Sequence, residues 1–139
     1  MMRMRFVALV LVTALGVTCK DEGPSAVTPP GANPTSLVVG LTTPNADDGA
    51  LLVTVRGPGM ATVVSSSASY LAFSNLSVPN QARVIAVGDL KAGAVFTIAL
   101  SGANPLSDYS VTLEQVASRT DALRASLSGY KVTLSAGSQ

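Results

Sequence analysis

Any chemistry this chain performs must come from carboxylates, lysines and hydroxyls, because its 139 residues include eight Asp and Glu, one cysteine and no histidine. Without imidazole there is no Ser-His-Asp triad, no histidine-ligated zinc and no imidazole general base. The sharpest polar cluster is "PNADDG", Pro44 to Gly49, in which Asn45, Asp47 and Asp48 offer side-chain oxygens close together in sequence. Calcium takes carboxylate and carbonyl oxygens from such loops, but this one lacks the regular acidic spacing and distal Glu of an EF-hand. A plain turn leading into a strand at Ala50 explains the same residues. Paired carboxylates could do glycosidase work, and the candidates are Asp47, Asp48, Asp89, Asp108, Glu114 and Asp121. All but Glu114 fall in turns or at a cap, where Asp has a local hydrogen-bonding reason to be. A Ser-Lys pair would draw on Lys91 or Lys131, yet no spacing singles out a serine nucleophile. The residues point away from catalysis.

The lone cysteine, Cys19, ends an N-terminus that reads "MMRMRFVALVLVTALGVTC". Two arginines, an apolar run from Phe6 to Val17 and small residues follow the order of a secretory signal, which assigns residues 1–18 to a signal peptide. The apolar run is shorter than the about 20 residues a membrane-crossing helix needs. "LGVTCK" resembles the lipobox of bacterial lipoproteins, with Gly16 in the usual leucine's place and Thr18 where Gly or Ala is preferred. The resemblance implies diacylglycerol on the Cys19 sulfur and the membrane as a partner. Acyl chains contribute about 0.8 kcal/mol per buried methylene, enough in combination to hold a protein durably. Ordinary cleavage, giving a secreted or periplasmic chain, is the alternative. Lys20 rather than Asp follows the cysteine, and by resemblance to the sorting pattern of Gram-negative lipoproteins this implies the outer membrane of the cell envelope.

Behind Cys19 comes "KDEGPSAVTPPGANPTS", with Pro24, Pro29, Pro30 and Pro34 and hardly a large apolar side chain. Such a stretch buries too little surface to offset its ordering entropy, so residues 19–35 are expected to form a semi-extended tether. The folded domain is expected over residues 36–139.

Within that domain hydrophobicity alternates with period two. In "ALLVTVRG" Leu51, Val53 and Val55 share one face; in "AVFTIAL" Ala94, Phe96, Ile98 and Leu100 do; in "YSVTLEQV" Tyr109, Val111 and Leu113 do. Turn signals such as "TPNADDG", "GPG", "SVPN", "GDLKAG" and "SGANPLSD" separate these runs. The pattern predicts strands near 36–41, 50–56, 60–66, 70–74, 81–87, 94–100, 109–116 and 130–135. Seven or eight short antiparallel strands make an all-β sandwich. One segment, "SRTDALRASLSG", has Ser118 as an N-cap, Leu123 and Leu127 one turn apart and Gly129 at a C-terminal position, which predicts a short helix over Asp121–Leu127 before the last strand, an irregular loop being the alternative.

Charge and aromatic content bound the partners. Beyond residue 18 the chain carries seven Lys and Arg against eight Asp and Glu, so there is no basic footprint for nucleic acid. Sugar binding on a sandwich calls for exposed flat aromatics. Tryptophan is absent, Phe96 and Tyr109 fall on inward faces, and Tyr70, Phe73 and Tyr130 remain as possible ligand contacts.

The run from "LLVTVRGPG" through "ARVIAVGDLKAGAVFTIAL" to "DYSVTLEQVA" resembles the strand order of cohesin-like and carbohydrate-module-like sandwiches, with Gly93, Phe96, Ile98 and Leu100 in its "GxxFxIxL" strand. With its signal and Pro-rich spacer the chain also resembles bacterial envelope lipoproteins bearing one such domain. What this implies is a non-catalytic, lipid-anchored interaction or assembly module with a protein or polysaccharide partner, the alternative being a surface carbohydrate-binding module.

Overall fold

A computed structural model describes residues 33–137. The signal segment, Cys19 and the tether up to residue 32 lie outside the described residues. Eight strands follow in chain order: β1 (Ser36–Thr42), β2 (Asp48–Arg56), β3 (Met60–Ser65), β4 (Tyr70–Asn75), β5 (Gln81–Leu90), β6 (Gly93–Leu100), β7 (Ser110–Ser118) and β8 (Lys131–Ala136). They form two antiparallel four-stranded sheets, sheet A in the order β3-β6-β1-β8 and sheet B in the order β4-β5-β2-β7. The chain is a β-sandwich, as the period-two pattern predicts.

The alternation in sequence is what builds the core. Leu37, Val39, Leu41, Phe96 and Ile98 from sheet A meet Leu51, Val53, Val55, Val84, Ala86 and Val116 from sheet B, all buried. Burying each of the Val, Leu, Ile and Phe side chains contributes about 1.5–3 kcal/mol, so these inward rows are what hold the sheets face to face. Tyr109 closes one end over Gly57, and Leu90 plugs the other, opposite Asp48. Gly57 has no alternative residue at hand: its φ is +149° and a Cβ there would sit 2.2 Å from Cδ1 of Tyr109.

Three departures from the sequence-based expectations have local causes. The short helix expected over Asp121–Leu127 does not form. The helical turn of the domain is a 3₁₀ turn at Leu106–Asp108, ahead of β7. Residues 119–130 instead turn back along β7: Asp121 takes φ +60°, Leu123 bridges Ala117, and the Arg124 N–H donates to the Val116 carbonyl. Pairing with an open strand edge wins over a two-turn helix, whose nucleation is costly. Second, Ala94, expected inward, is exposed while Val95 is buried, because a register shift between Val39 and Gly40 offsets the start of β6. Third, the folded region reaches back of residue 36. Pro34 is buried, the Asn33 side chain donates to the Ala103 carbonyl, and the Thr35 carbonyl accepts from the Leu100 N–H. Among the described residues no helix is long and apolar enough to cross a membrane.

Candidate interaction face

The acidic loop resolves into an ionic latch. Asp48 is 0% exposed, and a carboxylate that deep requires partners for every lone pair it presents. Arg124 supplies Nε at 3.0 Å and Nη2 at 2.8 Å to Oδ1, the Tyr130 hydroxyl donates to the same oxygen at 2.8 Å, and the Thr43 hydroxyl donates to Oδ2. Burial pushes the Asp48 carboxyl up, but the bonds from Thr43, Arg124 and Tyr130 together with the guanidinium charge outweigh it and hold it below the ordinary carboxylate range. Asp47 takes the same Nη2, and the Arg124 guanidinium is pushed further up by the bonds to Asp48 and Asp47. The Asn45 amide donates to the Tyr130 hydroxyl. The cation that these loop oxygens face is thus the chain's own arginine, and among the described residues no group of three or more acids, histidines or cysteines gathers elsewhere.

The remaining acids are spread over separate strands and turns. Glu114 accepts from the Thr54 hydroxyl and, at 2.7 Å, from Arg83, and these two bonds hold its carboxyl low. It can reach both because it occupies a bulge, where Gln115 pairs with Leu52 and Leu113 with Val53. Asp89 lies 3.1 Å from both Lys91 and Arg119. Asp108 closes the 3₁₀ turn and Asp121 sits in the turn after β7. Each paired carboxylate looks at a cation of this chain.

The three candidate aromatics do not share a face. Tyr70 and Tyr130 pack partly buried against the core, and Tyr130 spends its hydroxyl on the latch. Phe73 alone points away from the core, on edge strand β4, and is 59% exposed.

Phe73 leads to a feature that sequence reasoning did not single out. Across the outer face of sheet B, Phe73 pairs with Ile85, Ile85 with Leu52 and Leu52 with Gln115; one step along, Leu71 pairs with Val87, Val87 lies one strand from Ala50, and Ala50 pairs with Ala117, which Leu123 bridges. Leu71, Phe73, Ile85, Val87 and Leu123 are all exposed. The result is an apolar band spanning all four strands of sheet B. Between Ala50, Ala117, Leu52, Ile85, Gln115 and Leu123 the band dips into a depression of about 150 Å³. Ion pairs close it at both ends, Arg83 with Glu114 at one and Asp89 with Lys91 and Arg119 at the other.

The outer face of sheet A, built by the same fold, is chemically different. Thr62, Thr97, Thr42, Thr133, Lys131 and Ser135 point outward there beside half-buried Val38 and the small Ala99, with Val64 the one exposed large apolar side chain. A sheet with one solvated face should alternate apolar with polar, as β8 does in "KVTLSA". In β5 the run Val84, Ile85, Ala86, Val87 is apolar on both phases, and in β4 so is Leu71, Ala72, Phe73. That broken alternation is the signal in the sequence. Comparison of the chain with protein-family models, curated proteins and solved structures gives no match.

Proposed function

We propose that this chain is a non-catalytic, lipid-anchored protein of the cell envelope whose sandwich is an interaction module, and that the module works through the outer face of sheet B. The observation that carries the proposal is the contrast between the two outer faces: one keeps Thr, Ser and Lys toward solvent, the other presents Leu71, Phe73, Ile85, Val87 and Leu123. A contiguous exposed apolar patch rimmed by polar residues marks an interaction surface. The anchor rests on the order of the N-terminal residues, two arginines, an apolar run and Cys19, followed by a Pro-rich spacer. The charged residues of the domain support a role without catalysis, since each paired acid is neutralised by an arginine or lysine of the chain itself.

A photoreactive amino acid placed at Phe73, and in a parallel strain at Ser135 on the opposite face, tests the face in living cells producing the full chain. Adducts at Phe73 and none at Ser135 are expected. Adducts at Ser135 alone, or at neither position, would overturn the assignment. Intact mass tests the anchor: a chain beginning at Cys19 with a lipid-sized increment, lost in Cys19→Ser together with membrane partition, is the expected result.

A further inference from the structure

We infer that one end of the sandwich rests on the lipid surface that holds Cys19, with Val78 and Leu106 inserted at the boundary between headgroups and acyl chains. The inference rests on the lipid anchor proposed above and adds a second membrane contact, made by the folded domain itself. Its first basis is where the chain leaves the fold. Ser36, at the start of β1, pairs with Ala99 near the end of β6; just before it the Thr35 carbonyl accepts from the Leu100 N–H, and the Asn33 side chain donates to the Ala103 carbonyl. The segment leading back to Cys19 therefore departs from the end built by residues 57–59, 76–80 and 101–109, opposite the Asp48 latch. Hydrogen bonds join these loops into one surface, the Gly57 N–H donating to the Asn80 carbonyl and the Ser101 N–H to the Gly59 carbonyl. Residues 20–32 span at most about 45 Å, so a lipidated Cys19 confines this end to the neighbourhood of the bilayer.

The second basis is the chemistry of that end. Val78 is 50% exposed and Leu106 37%, each in a loop beside an exposed proline, Pro79 and Pro105. Asp108 is the one charged residue in the three loops, with Arg56 at their rim where β2 ends. The loops of the opposite end carry Asp47, Lys91, Arg119, Asp121 and Arg124. Taking ions out of water is costly, so only the end with apolar tips and few charges can approach acyl chains.

Burial of the exposed part of each side chain sets the strength, a factor of about 3 to 10 per tip in the docked population. Two such tips are too weak to hold a free domain. The tether makes the contact intramolecular, at an effective concentration on the order of millimolar, and the two tips then suffice to bias the orientation. Docked this way the strands stand upright on the membrane, and the outer face of sheet B looks sideways, open to a partner.

The full chain, purified from membranes and reconstituted in vesicles of phosphatidylethanolamine and phosphatidylglycerol, tests the contact. A fluorophore is attached through Ser77→Cys, Ser107→Cys or, at the opposite end, Ser128→Cys, all exposed positions, and its quenching by brominated acyl chains is measured. Quenching at 77 and 107 at least about threefold that at 128 is expected, and Val78→Asp with Leu106→Asp should bring it down to the level at 128. Unchanged circular dichroism confirms that the variants fold. Equal quenching at the three positions, or quenching that survives both aspartates, in a chain whose intact mass carries lipid at Cys19 overturns the inference and leaves the anchor standing. A chain without lipid at Cys19 overturns both.

Discussion

Arg124 places Nε 3.0 Å and Nη2 2.8 Å from a single oxygen of Asp48, 76 residues away in the chain. Through that oxygen the return from β7 to β8 is fastened to the start of β2, and Thr43 and Tyr130 fasten the neighbouring loops to the same carboxylate. A segment with few core residues is thereby held against the end of the sandwich. Asp48→Asn keeps the shape but weakens charge-assisted bonds, which are worth about 1.5–3 kcal/mol. A loss of that order in denaturant unfolding is expected, with residues 119–130 exchanging amide hydrogens faster than β2 and β5.

The same carboxylate sets the acid limit of the fold. Asp48 and Glu114 both have folded pKa values below the ordinary carboxylate value of about 4. A depressed folded pKa means that the native state releases the proton more readily than the unfolded chain. Stability from these groups is therefore fully present above about pH 5 and is lost as pH falls through their folded values. With no histidine in the chain, stability is expected to be flat between about pH 5 and 8. Melting temperature against pH checks both statements, and Asp48→Asn should shallow the acid slope.

Gly57→Ala tests the close of the sandwich at the opposite end. The added methyl would stand 2.2 Å from the Tyr109 ring on backbone at φ +149°, so overpacking of about 1–3 kcal/mol is expected. Tyr109→Ala in the same background should relieve that added cost, which a double-mutant cycle in urea measures.

The architecture was legible because its cause is local: inward rows such as Leu51, Val53, Val55 and Phe96, Ile98 alternate with outward residues, and turns punctuate them. All eight strands fall where that pattern puts them, with ends displaced by up to three residues. The largest displacement, β5 running on to Leu90, comes from Leu90 filling the core end past the glycine that marks the turn. The segment "DALRASL" misled for a physical reason. Its helical spacing of leucines is real, but the open edge of β7 offers Leu123 and Arg124 backbone partners and Asp48 claims the guanidinium. Pairing between residues 48 and 124 depends on tertiary placement that no local pattern encodes. The apolar face is encoded in the missing polar phase of β4 and β5, where Leu71, Phe73, Ile85 and Val87 stand at outward positions.

Substitutions on that face separate folding from association. Leu71→Thr, Phe73→Thr and Ile85→Thr remake the outer face of sheet B in the chemistry of sheet A without touching the core. Each is expected to change stability by no more than about 0.5 kcal/mol, the range for exposed positions. By contrast Phe96→Ala, in the core, should cost about 3–5 kcal/mol. Binding of an apolar fluorescent dye by the purified domain should fall with the three threonines and stay unchanged with Val64→Thr.

Hydroxyl-radical footprinting of the full chain in cells that produce it tests the proposed interaction face most directly. Phe73 on sheet B and Val64 on sheet A are equally exposed at 59%, so each serves against the other once oxidation is normalised to the dilute purified domain. Protection of Leu71, Phe73 and Ile85 with Val64 still oxidised is the expected result. Equal oxidation of Phe73 and Val64 in cells and in dilute solution would contradict an interaction module working through the outer face of sheet B.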